Sequence, residues 1–153
     1  MTSDNQMDRY EPWYLDTKYV ADLGPGLKVT IRIGEVCPEL DAFLLTHNVT
    51  YWSFLTASNP RSIALAEAEN NASNARLRSD LTSLGLEIFD GKGIARGGGW
   101  CEKSFLVLGL GKQEGLNLAN EYGQLAFVFG SLGEAAELVP STQQMSRPYD
   151  ENR

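Results

Sequence analysis

Two short stretches bring together residue types that can do chemistry. Thr56-Ala-Ser-Asn-Pro-Arg-Ser62 gathers hydroxyls, an amide and a guanidinium directly after an apolar run, and Trp100-Cys-Glu-Lys-Ser104 sets an indole, a carboxylate and a hydroxyl at alternate positions. Side chains of a strand alternate with period two, so Trp100, Glu102 and Ser104 share one face. Together the stretches suit recognition of a small anionic or nucleotide-like ligand. Arg61 and the free N–H groups of a helix starting near Ser62 would hold an anion, Asn59 would orient polar edges, and Trp100 would stack on a ring. Glu102, once desolvated, becomes a general acid or base with a raised pKa. Two further amides, Asn74 and Gln124, stand where elements begin or where an apolar helix face continues. The competing reading is a non-catalytic protein-interaction or regulatory module whose polar cluster is a structural hydrogen-bond network: a well-capped turn, Glu102 paired with Arg61 or Arg96, and amides satisfied by neighbouring backbone. No nucleophile–base pair is evident, because His47 is the only histidine and neither Cys37 nor Cys101 is placed beside it by any spacing. Chemistry at such a site would be hydrolysis or group transfer with Glu102 as its proton carrier.

These residues need elements to position them. Val49 to Ala57 is rich in β-branched and aromatic residues and reads as a central strand, which Pro60 ends by lacking an N–H for the ladder. Ser62 to Leu84 follows as a helix closed by Gly85. Asn70, Asn74, Leu77, Leu81 and Leu84 form one stripe along it. Leu86 to Phe89 is a short strand leading into an Asp90-Gly-Lys-Gly93 loop, and the strand Trp100 to Gly109 comes after a second glycine run that matches no phosphate-binding spacing. A helix Gln113–Tyr122 and a strand Leu125–Phe129 complete a β-α-β-β-α-β series. That series predicts a single compact α/β (α+β) domain with a ferredoxin-like core, the alternative being a doubly wound sheet with the same elements in another order. Leu27–Ile33 alternates as an additional strand, and Pro38 opens an additional helix through Thr46. The domain is expected over residues 23–140. An N-terminal arm, 1–22, precedes it, disordered over 1–9 but holding Tyr10, Trp13, Tyr14 and Tyr19, too many aromatics for a free tail. The arm is expected to pack on the domain or to join a protein partner or second copy in a homodimer. Ser141 onward reads as a polar tail.

Bulk properties narrow the classes. A net charge of −7 argues against nucleic acid as a partner, since phosphate contacts need concentrated positive charge. Between Arg61 and Lys112 there are seven Lys/Arg against six Asp/Glu, with six against fourteen elsewhere, so an anionic ligand is tolerable in the middle of the chain. Two distant cysteines and one histidine argue against a zinc site, leaving a carboxylate site for magnesium open; folding needs no disulfide, and the cofactor is unknown. A polar, acidic N-terminus and the lack of a long apolar run imply a soluble, cytosolic protein without a membrane span.

The Thr56–Ser62 turn, Asn74 with Leu77 and Leu81, Trp100-Cys-Glu-Lys-Ser-Phe-Leu-Val107 and Tyr122-Gly-Gln-Leu-Ala-Phe-Val128 together resemble a bacterial family known as domain of unknown function 3293. The likeness runs from about Leu27 to about Val139 and implies that these polar positions are a shared feature of the family. It implies no reaction. In a ferredoxin-like sheet the strands bearing Asn59 and Glu102 are antiparallel neighbours. Asn59, Arg61, Asn74, Glu102, Ser104 and Gln124 are therefore expected to cluster.

Overall fold

The structure, a computed structural model, describes residues 6–60 and 63–142, with side chains from Tyr10 onward. In chain order the elements are α1 (Gln6–Asp16), β1 (Lys18–Gly24), β2 (Leu27–Ile31), α2 (Pro38–Thr46), β3 (Tyr51–Leu55), α3 (Glu67–Ser83), β4 (Glu87–Ile94), β5 (Cys101–Leu108), α4 (Lys112–Glu121), β6 (Ala126–Ser131) and β7 (Glu137–Pro140). The seven strands form one sheet in the order β2-β1-β4-β5-β3-β6-β7, every neighbouring pair antiparallel. The sheet curls. Just beyond β2, Ile33 forms a parallel bridge with Ala136, and Gly34 N–H donates to the Ala136 carbonyl at 2.8 Å, so the two ends of the sheet approach each other. No described helix is long and apolar enough to cross a membrane.

The period of two divides the core. Tyr19, Ala21, Val29, Ile31, Trp52, Phe54, Leu106, Leu108 and Val128 point into the curl, where Leu40 and Leu44 of α2 join them. Residues of opposite parity, among them Leu55, Phe105, Val107, Phe127 and Phe129, face outward and are covered by Leu77 and Leu81 of α3 and Ala119 of α4. Burying such side chains stabilises by about 1.5–3 kcal/mol each, which is why the alternating pattern sets the register.

Several elements depart from the expected bounds for identifiable reasons. Asp90-Gly-Lys-Gly93 is not a loop but the continuation of β4, paired with Phe105, Ser104, Lys103 and Glu102 of β5. Gly91 is needed there because a Cβ would stand 2.8 Å from the Val20 carbonyl oxygen and 2.9 Å from the Phe54 ring. The 18–24 stretch, placed largely in the arm, is a full strand, β1, between β2 and β4, so the expected boundary at residue 22 falls inside it. Gln6–Asp16 is helical, which replaces the expected disorder at residues 6–9, although Pro12 removes one helical N–H. α3 begins at Glu67 and not near Ser62: residues 63–66 are not helical, and the Glu69 carboxylate accepts the Ala66 N–H at 3.2 Å. The tail is anchored where it starts, since Ser141 N–H donates to the Leu125 carbonyl at 2.7 Å and Thr142 N–H to Asn120 Oδ1 at 2.9 Å. The expected disorder over residues 1–5 and the tail from 143 onward lie outside the described residues.

Candidate functional site

The curl is filled at one end by α2 and keeps a cavity of about 230 Å³ at the other. Five segments end there: the start of β1, the end of β4, the first half of β5, the end of β3 and the approach to β6. Because all contribute residues of the inward parity, Thr17, Tyr19, Gly93, Trp100, Glu102, Ser104, Phe54, Thr56, Gln124 and Ala126 line one space. The remaining wall is α1, which presents Tyr10, Trp13 and Tyr14 at helical spacing i, i+3 and i+4. Thr17 ties this helix to the sheet by donating from Oγ1 to the Trp13 carbonyl at 2.8 Å, and the Tyr19 hydroxyl donates to the Tyr14 carbonyl at 3.1 Å. Trp13 and Trp100 remain 36% and 39% exposed, which leaves their rings accessible from solvent.

Glu102 is the charged group of this cavity. Asn59 Nδ2 donates to its Oε2 at 3.0 Å, made possible by the antiparallel β3–β5 pairing that sets Leu55 opposite Phe105. Burial raises the Glu102 pKa above the usual carboxylate range, while donation from Asn59 and from the Trp100 indole pulls it the other way. Tyr14 feels the same surroundings: burial raises its phenol pKa, and the Glu102 charge adds to that. Glu102 is not paired with Arg96, which meets Asp16 at 3.7 Å, and among the described residues no cation lies within ion-pair distance of it.

A hydrogen-bond network holds the turn that delivers Asn59. Asn74, 1% exposed, accepts the Ala57 N–H at 2.8 Å and donates to Ser58 Oγ at 2.9 Å. Asn70 and Asn59 bond reciprocally: Asn59 N–H donates to Asn70 Oδ1 and Asn70 Nδ2 to Asn59 Oδ1, each at 2.8 Å. Asn59 Oδ1 also accepts the Leu65 N–H at 2.9 Å. These contacts keep Asn59 in the left-handed region, φ 47°, a conformation asparagine tolerates better than most side chains. Gln124 Nε2 donates to the Ser58 carbonyl at 2.9 Å, and its Oε1 has no partner among the described residues.

The structure thus brings Asn59, Trp100, Glu102, Ser104 and Gln124 to the cavity, while Asn74 is buried behind the turn and does not line it. Arg61 and Ser62 lie outside the described residues. Sequence reasoning missed Tyr10, Trp13 and Tyr14 as cavity wall. Their i, i+3, i+4 spacing was the available signal, masked by Pro12. His47 stands elsewhere, at the far end of β4, with Nδ1 2.8 Å from Glu87 Oε1. No group of three or more His, Cys, Asp and Glu that could hold a metal occurs among the described residues.

The fold and site define a mixed α/β domain with a polar-floored aromatic cavity inside a curled antiparallel sheet. The family model described as Protein of unknown function (DUF3293) matches residues 55–127. That span is shorter than the expected one, yet it includes Asn59, Asn74, Trp100, Glu102, Ser104 and Gln124 and excludes α1, β1 and β2. No curated protein and no solved structure matches the chain.

Proposed function

We propose that the protein binds a small, flat, hydrogen-bonding molecule in the α1-walled cavity, with Glu102 as the group that recognises it. The observation that carries this reading is a carboxylate held by Asn59 and Trp100 on the wall of a space otherwise lined by aromatic rings, aliphatic side chains and neutral polar groups. The nucleotide-like part of the expectation has support, since indole and phenol faces stack on a planar ring and Ser104 and Gln124 can read its edge. The anionic part has none among the described residues, because the lining contains no Lys or Arg. If chemistry accompanies binding, Glu102 moves a proton on the ligand or on a water. Ser104 Oγ donates to the Glu102 main-chain carbonyl at 3.1 Å, so it is not arranged as a nucleophile activated by that carboxylate. The order β4-β5-β3-β6, antiparallel throughout, supports a ferredoxin-like reading of the core, extended at one edge by β1–β2 and at the other by β7. The aromatic arm then belongs to the site and not to a dimer face.

A second reading has its own observation. Asn70, Asn74 and Ser58 direct their hydrogen bonds at the turn itself, so for these residues the polar cluster is a structural network. Thermal unfolding against nucleobases, nucleosides, nucleotides and sugar phosphates tests the binding reading. A ligand at about one hundred times its dissociation constant adds about 2.7 kcal/mol, roughly 5–10 °C for a domain of this size. A shift confined to one chemical class and lost in Trp100→Leu supports the cavity; a flat panel over a well-folded protein leaves the network as the cluster's role.

A further inference from the structure

The geometry points to a positively charged group, an ammonium, amidine or guanidinium, as the part of the ligand that meets Glu102. This rests on the small-molecule reading above and names its ligand class. Glu102 is the only Asp, Glu, Lys or Arg among the described residues lining the cavity, and its side-chain partners there, Asn59 and Trp100, are neutral donors. Two basic side chains close to it in sequence are engaged elsewhere among the described residues: Arg96 with Asp16 and Lys103 with Asp90. A desolvated carboxylate with no counterion among the described residues is a costly arrangement that an incoming cation relieves. Around it stand Tyr10, Trp13, Tyr14 and Trp100, whose ring faces carry negative potential and attract cations. An anionic ligand would meet repulsion from both features. A neutral one would gain from the rings but not from the charge.

Matched probes that differ only in charge provide the test. Benzamidine, benzamide and benzoate share a flat ring, and choline has 3,3-dimethylbutan-1-ol as its neutral analogue. Binding to the full chain is followed by tryptophan emission, to which Trp13 and Trp100 report from the cavity wall, and by thermal unfolding. The expected result is benzamidine at least about tenfold tighter than benzamide, choline tighter than its analogue, and benzoate weakest. In Glu102→Gln, which keeps an acceptor for Asn59, each preference should shrink to about twofold or less while benzamide binding persists. Neutral probes binding as tightly as cations, benzoate binding tightest, or a cation preference that survives in folded Glu102→Gln would each overturn the inference. If that variant does not fold, the wild-type pairs alone decide. Neutral probes that bind without cation preference sink this inference and leave the cavity reading standing. No binding by any probe at millimolar concentration overturns this inference, and the thermal-unfolding panel above then decides the cavity reading.

Discussion

Asn74→Ala is the sharpest test of how the turn is held. The native amide accepts the Ala57 N–H and donates to Ser58 Oγ, and it does so at 1% exposure, where water cannot replace it. Truncation leaves the buried Ala57 N–H without a partner, a cost of about 1–3 kcal/mol, and loses a second bond of about 1 kcal/mol. The sum is roughly 3 kcal/mol, or about 6–12 °C in Tm for a chain of this length. Urea unfolding followed by circular dichroism measures it directly. Asn74→Asp sharpens the argument, because it keeps the acceptor but introduces an ionisable group into the same dry site. Burial would raise that carboxyl's pKa in the folded state, so the fold would hold a proton that the unfolded chain releases. Stability of this variant should therefore fall as pH rises from about 4 towards neutrality, relative to wild type. A loss below about 1 kcal/mol in Asn74→Ala would refute the reasoning, since it would mean that the turn holds its shape without this amide.

Two neighbouring glycines should behave differently. Gly91→Ala forces a Cβ against the Val20 carbonyl and the Phe54 ring and should cost about 1–3 kcal/mol, whereas at Gly93 the nearest atom, Thr17 Cγ2, is 3.7 Å away and the loss should stay within about 1 kcal/mol. Gly93 lines the cavity, so its substitution should weaken binding of any cavity ligand while leaving Tm nearly unchanged; equal Tm losses in the two variants would contradict this placement. Glu102 makes a prediction in pH. Its folded pKa is raised, so folding takes up a proton between the unfolded value, about 4.3, and the folded one, and the group's contribution to stability declines as pH rises through that window. Glu102→Gln should remove this decline, and an unchanged stability–pH profile from pH 4 to 8 would speak against a desolvated carboxylate.

Why some of this was legible and some was not follows from where each signal resides. The series β3-α3-β4-β5-α4-β6 is carried by local periodicity, and the antiparallel neighbours β3 and β5 were enough to bring Asn59 to Glu102. Signals that depend on distant atoms were misread. Gly91 looks like a loop residue until the Phe54 ring and the Val20 carbonyl are in place to require a small residue in a strand. The delayed start of α3 depends on the Asn59–Asn70 pair, in which two amides eleven residues apart hold a loop that propensity alone would make helical. The hardest distinction lay between Asn74 and Gln124, both amides and both buried. Asn74 uses its oxygen and its nitrogen on the turn, whereas Gln124 gives its nitrogen to Ser58 and lines the cavity with no partner for its oxygen among the described residues. Residue type states only that a buried amide needs partners. Whether those partners are backbone or ligand depends on which side of the turn the side chain enters, and that is decided by the β3–β6 register and the curl of the sheet.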